Sequence, residues 1–110
     1  MVQFYDLVER HYRDSCDLAF FAGEMGVTTR TLTRLTVART GLGPIELVNR
    51  RRAAEARRLL RYSNASVAQI ADTLGFADVS YFSRFYMRMT GQRPSRDRHP
   101  ATFGQYDNKC

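Results

Sequence analysis

Apolar residues recur every three or four positions along most of this chain, and no stretch alternates with period two for long enough to form a strand. Phe4, Leu7, Val8 and Tyr12 share one side of residues 2–13, with Asp6, Glu9, Arg10 and Arg13 between them. That spacing predicts an amphipathic first helix. Ser15-Cys16-Asp17 breaks it, and Asp17 is placed to cap a second helix from Leu18 to Met25. Gly26 supplies a left-handed turn, and Thr28 caps a third helix to Arg39. Gly41-Leu42-Gly43-Pro44 is a clear break. Pro44 fits the first turn of a fourth helix, to about Tyr62, with Ile45, Val48, Ala56, Leu59 and Leu60 on one stripe. Its length would be roughly 27 Å. Ser66 and Gln69 form a capping box for a fifth helix to about Leu74. Gly75 turns the chain, Asp78 caps a sixth helix to about Met89, and Gly91 stops it. Pro94 opens a short seventh helix that His99-Pro100 ends, because proline disfavours helix in the residue before it. Ala101 to Cys110 is expected to fray. The prediction is an all-α fold of seven helices.

Part of this pattern is written twice. Ala22-Gly23-Glu24-Met25-Gly26-Val27, then Arg30, Leu32, Arg34, Thr40 and Gly41, returns as Ala71-Asp72-Thr73-Leu74-Gly75-Phe76, then Phe82, Ser83, Arg84, Thr90 and Gly91. The offset from Gly26 to Gly75 is 49, and from Arg34 to Arg84 it is 50. The second copy therefore carries one extra residue in its turn. A short helix, a glycine turn and a longer helix with arginine on one face is the layout of a helix-turn-helix, whose second helix enters the DNA major groove. The expected organisation is a first lobe over 1–43, a linker helix over 44–62, a second lobe over 63–100 and a tail over 101–110.

Charge points to the same partner. Lys and Arg number 17 against 11 Asp and Glu, a net charge of +6, and all the basic residues but Lys109 are arginine. A basic excess on a folded domain marks a polyanion partner, and the planar guanidinium fork matches phosphates and guanine edges. Catalytic signals are weak. Gly41-x-Gly43 lacks the third glycine and the preceding strand of a dinucleotide loop. The acids are scattered and read as single surface residues. Cys16 and Cys110 form no paired motif, and His11 and His99 are isolated. No metal, no cofactor and no enzymatic activity are expected. No run approaches the ~18 apolar residues of a membrane span. The first residues lack the layout of a signal peptide. A cytoplasmic, reducing location is expected, with no membrane partner.

On the helix after Thr28, Leu32 and Leu35 are expected inward, which turns Thr29, Arg30, Thr33 and Arg34 outward. On the helix after Asp78, Phe82, Tyr86 and Met89 are expected inward, which exposes Val79, Ser80, Ser83 and Arg84. Arginine can donate twice to guanine, and a valine methyl suits the thymine methyl. These eight residues are the candidate base contacts, with the first set reading more strictly than the second. Arg50, Arg51, Arg57, Arg58 and Arg61 on the long helix, and Arg88, Arg93 and Arg96 beside the sixth, are the candidate phosphate contacts. Such contacts set affinity and salt dependence rather than sequence choice. Arg52 falls on the apolar stripe, where a partly buried ion pair is expected. An alternative reading is a protein-interaction module, with Phe20, Phe85 and Met87 exposed to dock a partner.

Residues Ala22 to Arg98 closely resemble the DNA-binding domain of AraC/XylS-type bacterial transcription regulators. The stretch Ile70-Ala71-x-x-Leu74-Gly75-Phe76-x-Asp78-x-Ser80-Tyr81-Phe82-Ser83-Arg84, ending in Gly91-x-x-Pro94-Ser95-x-x-Arg98, carries the resemblance most specifically. Arg52-x-x-x-Ala56-x-x-Leu59-Leu60 fits that family's linker helix. The resemblance implies two helix-turn-helix lobes on adjacent major grooves along one face of double-stranded DNA; the repeat within one chain suggests a monomer on DNA, with oligomerisation left to a further domain. It also implies contact with RNA polymerase, usually for activation. The family's base-contacting positions map onto Arg30, Thr33 and Arg34, and onto Val79, Ser80, Ser83 and Arg84. Two departures stand out. Thr36 replaces an inward phenylalanine, with Leu35, Phe20 or Phe21 left to fill its volume, and Tyr86-Met87 replaces phenylalanine-lysine. Most members add an effector-binding or dimerisation domain, for which these 110 residues hold no counterpart. A stand-alone regulator and a piece of a larger one both fit. The family's domain type also occurs attached to DNA-repair alkyl acceptors, which need a zinc-bound cysteine cluster that this sequence lacks.

Overall fold

The computed structural model describes residues 1–14 and 17–98. The predicted break at Ser15-Cys16, the stop at His99-Pro100 and the tail over 101–110 lie outside the described residues. Seven helices form among them, with no strand: α1 (Val2–His11), α2 (Leu18–Glu24), α3 (Thr29–Thr40), α4 (Pro44–Tyr62), α5 (Val67–Thr73), α6 (Val79–Thr90) and α7 (Pro94–Asp97). None is long and apolar enough to cross a membrane. The chain divides into two compact units inside α4, after Arg52.

The caps explain why the helices start where they do. Asp17 accepts from the Ala19 amide at 3.0 Å, Thr28 from Thr31 at 3.1 Å and Asp78 from Tyr81 at 2.7 Å. Ser66 accepts from the Gln69 amide at 3.0 Å while the Gln69 carbonyl accepts from Ser66 N at 2.7 Å, a complete capping box. Gly41 and Gly91 end α3 and α6 at φ +79° and +78°, a left-handed turn that costs other residues about 1 kcal/mol or more. The extra residue of the second copy is Ala77. Val27 and Phe76 each donate to the carbonyl of the matching alanine, Ala22 and Ala71, at 3.0 and 2.9 Å, so the chains diverge only after that point.

In the first unit, Phe4, Leu7, Val8 and Tyr12 of the α1 stripe are buried with Phe21, Ala22 and Leu32. The Phe4 and Phe21 rings meet edge to face at 5.8 Å. In the second unit, Phe76 lies among Phe82 and Phe85, at ring distances of 5.2 and 4.8 Å, above Ile70, Leu74 and Tyr86.

Three expectations about side-chain placement are corrected. Leu35 is 43% exposed, and Thr36 takes the inward position with no accessible surface. From the buried Leu32, a residue four on is rotated by about 40° and one three on by about 60° the other way, so the nearer one points inside. Thr36 is accommodated because its hydroxyl donates to the Thr33 carbonyl at 3.2 Å; Phe21, fully buried, supplies aromatic volume. Phe85 is buried, not exposed, with its ring packed against Phe76 at 4.8 Å. Phe20 is half-buried against the His11 ring at 4.9 Å, and Met87 is exposed as expected. Finally, Glu55 and Asp97 are buried acids rather than surface ones.

Candidate nucleic-acid interface

In the first unit, α3 presents Thr29, Arg30 and Arg34 as exposed side chains with Thr33 half-buried between them. With Leu18 at the start of α2 and Val37 one turn further along α3, they line an open groove of about 450 Å³. In the second unit, α6 exposes Val79, Ser80 and Arg84, with Ser83 half-buried. Ser83 and Arg84 line a groove of about 580 Å³ with Met87, Arg88, Arg93 and Pro94. The Arg84 guanidinium lies 6.0 Å from the centre of the Tyr81 ring, at the outer limit of a cation–π contact. All eight candidate base contacts therefore sit on the accessible faces of α3 and α6.

The candidate phosphate contacts separate into two groups. Those of α4 face carboxylates. Arg50 lies 3.8 Å from Glu46. Arg51 pairs with Glu9 through both Nε and Nη2, the latter at 3.2 Å, and stacks 4.4 Å above Tyr12. Arg58 donates to Glu55 at 2.9 and 2.6 Å. Arg57 and Arg61 approach Asp97 at 3.5 and 3.4 Å. Arg52 is buried, as its place on the apolar stripe implied. The second group differs. Among the described residues, Arg88, Arg93 and Arg96 are exposed and face no carboxylate within ion-pair distance, as do Arg30, Arg34 and Arg84. Arg88 covers the Phe85 ring at 5.6 Å.

Sequence reasoning missed a polar network beneath this second group. Asp97, the last residue of α7, accepts from the Tyr86 hydroxyl and from Arg61, with Arg57 beside it. Burial pushes the Asp97 carboxyl upward, but the Tyr86 hydrogen bond and the two guanidiniums outweigh it and hold the group below its ordinary value. Burial and the bond to Asp97 raise the Tyr86 hydroxyl to about 12. Arg57 is raised, chiefly by its hydrogen bond with Tyr86. The signal was present as a tyrosine in an inward position and two arginines one turn apart, but their common partner is remote in sequence. Arg98 closes the same end by donating to the Ser63 and Ala65 carbonyls. Among the described residues no group of His, Cys, Asp and Glu could hold a metal ion.

Two capped helix-turn-helix units, each showing a short-polar and cationic face, define a DNA-binding architecture. Residues 21–99 match the helix-turn-helix domain family. The chain is 37% identical over 91 residues to the HTH-type transcriptional activator RhaS of Escherichia fergusonii, covering 83% of this chain and 33% of that protein. Among solved structures, a transcriptional regulator with an AraC-type DNA-binding domain from Chromobacterium violaceum aligns with a TM-score of 0.82 at 26% identity, over 96% of this chain and 93% of that one. The DNA-binding domain of AdpA, solved in complex with a target DNA, aligns with a TM-score of 0.78 at 24% identity, over 86% and 85%. The chain belongs to the AraC/XylS-type helix-turn-helix family of DNA-binding transcriptional regulators. It spans about a third of the length of the curated relatives it matches.

Proposed function

We propose that this chain binds double-stranded DNA sequence-specifically by seating α3 and α6 in successive major-groove segments, as a monomer. Arg30, Thr33 and Arg34, with Thr29, read bases from α3; Val79, Ser80, Ser83 and Arg84 read from α6. Arg88, Arg93 and Arg96 hold phosphates. The α4 arginines contribute to the basic field, but a phosphate must compete there with carboxylates already in place. The carrying observation is the repeat itself: a glycine turn, a side-chain-capped helix and an exposed arginine, Arg34 and Arg84, occur in both units. One chain thus supplies the two reading helices that dimeric helix-turn-helix proteins obtain from two copies. The proposal extends to activation of transcription, which the likeness to an activator supports, and to contact with RNA polymerase on the nucleoid in the bacterial cytoplasm. The interaction-module reading loses support, since Phe85 is interior.

Binding to mixed-sequence duplex is expected to weaken steeply with salt. Three phosphate contacts, through Arg88, Arg93 and Arg96, correspond to a slope of log K against log salt of about −3. Titration between 50 and 200 mM salt measures it. Self-association that ignores salt, with no duplex binding, would reject this function.

A further inference from the structure

Val79, the first residue of α6, is 39% exposed, although water rewards no apolar side chain there. The residue before it is an acid. Asp78 is exposed and caps the helix through Oδ1, which accepts from the Tyr81 amide at 2.7 Å. Its other oxygen takes part in no hydrogen bond or ion pair among the described residues. The cap and the positive end of the helix dipole hold this carboxylate in place at the end of the helix that leads into a groove.

The start of α3 carries no such pair. At the matching positions, an offset of 50 along the chain, Thr28 caps through a hydroxyl and Thr29 sets a second hydroxyl beside its methyl. Of the two reading helices, α6 is the one that sets an ionic acceptor next to a purely apolar surface.

These two side chains select different groups on a base. A carboxylate accepts from the N4 amine of cytosine and is repelled by the O4 of thymine. An apolar side chain favours a methyl on C5 and does not tell an amine from a carbonyl. N4 and C5 are neighbouring substituent positions on the pyrimidine edge, so one base can meet both residues. Thymine offers the methyl with the wrong polar group, and cytosine offers the amine with no methyl. A cytosine methylated at C5 offers both.

We infer that Asp78 and Val79 form a site for 5-methylcytosine, so that methylation of one cytosine in the target duplex strengthens binding. The inference rests on the DNA-binding function proposed above, in which Val79 faces bases. It adds the chemical group that is recognised and a second residue, Asp78, that recognises it. The chain's hold on DNA then depends on modification of the duplex as well as on its sequence.

The test uses the full chain and a duplex that it prefers, rebuilt with C·G at each base pair in turn and in both orientations, with and without the C5 methyl on that cytosine. Competition binding is expected to show one pair at which the methyl tightens binding roughly 4-fold, the worth of burying one methyl group. At that pair thymine is expected to bind roughly 5-fold or more weakly than 5-methylcytosine, the lower end for one lost base-edge contact. Val79→Ala is expected to abolish the methyl gain. Asp78→Ser keeps a capping hydroxyl, so its thermal midpoint should hold while the preference for 5-methylcytosine over thymine disappears. No pair with a methyl gain, a gain that survives Val79→Ala, or a thymine deficit that survives Asp78→Ser overturns the site. Wild-type chain that binds no duplex of any sequence overturns the DNA-binding function itself, and the two failures are distinct.

Discussion

Replacing Arg34 with alanine is expected to reduce discrimination between the preferred duplex and its single-base variants by roughly 5- to 150-fold, the worth of about 1–3 kcal/mol for one bidentate arginine–guanine contact. The equivalent replacement of Arg84 is expected to cost less. Arg34 shares its groove with the donors Thr29, Arg30 and Thr33. Arg84 follows Val79 and Ser80, which offer a methyl surface and one hydroxyl, and its guanidinium leans toward the Tyr81 ring. Competition binding with each single variant measures both effects. Equal losses would reject stricter reading by the first lobe.

Replacing Asp97 with alanine is expected to destabilise the protein by about 3 kcal/mol. Removing one partner from a buried ion network leaves the others uncompensated, at a typical cost of about 3–5 kcal/mol; partial exposure of Arg57 and Arg61 places this case at the low end. Tyr86→Phe keeps the ring and removes one donor to the carboxylate, at about 1.5–3 kcal/mol. The pH dependence follows from the direction of each shift. Asp97 has a lowered value in the folded chain, so its contribution is present above the ordinary carboxylate value of about 4 and disappears as pH falls through the folded one. Tyr86 is raised to about 12, so its contribution is present below about 10 and disappears as pH climbs toward 12. Urea midpoints recorded across pH should show steeper acid loss in wild type than in Asp97→Ala. Identical acid limbs would mean the carboxylate does not stabilise the fold.

Consequences of Asp97 extend to binding, because it anchors α7, the helix that carries Arg96 and follows Arg93. A fold that loses this anchor should also lose salt-dependent affinity before it loses base preference.

Local chemistry was legible in the sequence. Asp17, Thr28, Ser66 and Asp78 cap helices by reaching an amide two or three residues away, so composition and spacing sufficed. The exposure of the faces proposed to read bases was legible for the same reason: it follows the period on a short helix once the buried stripe is known. Choosing that stripe was harder. Leu35 and Thr36 flank the same inward direction, and hydrophobicity favours the leucine; neighbouring helices decide for the threonine, whose hydroxyl finds a carbonyl in its own helix. Phe85 depended on a contact with Phe76 of the turn, which helical spacing alone does not place. The ion pairs were least legible. Arg51 meets Glu9 from another helix, and Arg57 and Arg61 meet Asp97 from the far end of the second lobe, so an arginine-rich face resembled a phosphate surface until its carboxylates were placed.

Selection of bound duplexes from a random library probes most directly whether one chain reads two groove segments. Two short conserved blocks with centres about ten base pairs apart, one helical turn of DNA, are the expected result. A single compact block, with sequence free on both sides, would mean that only one of the twin helices engages bases.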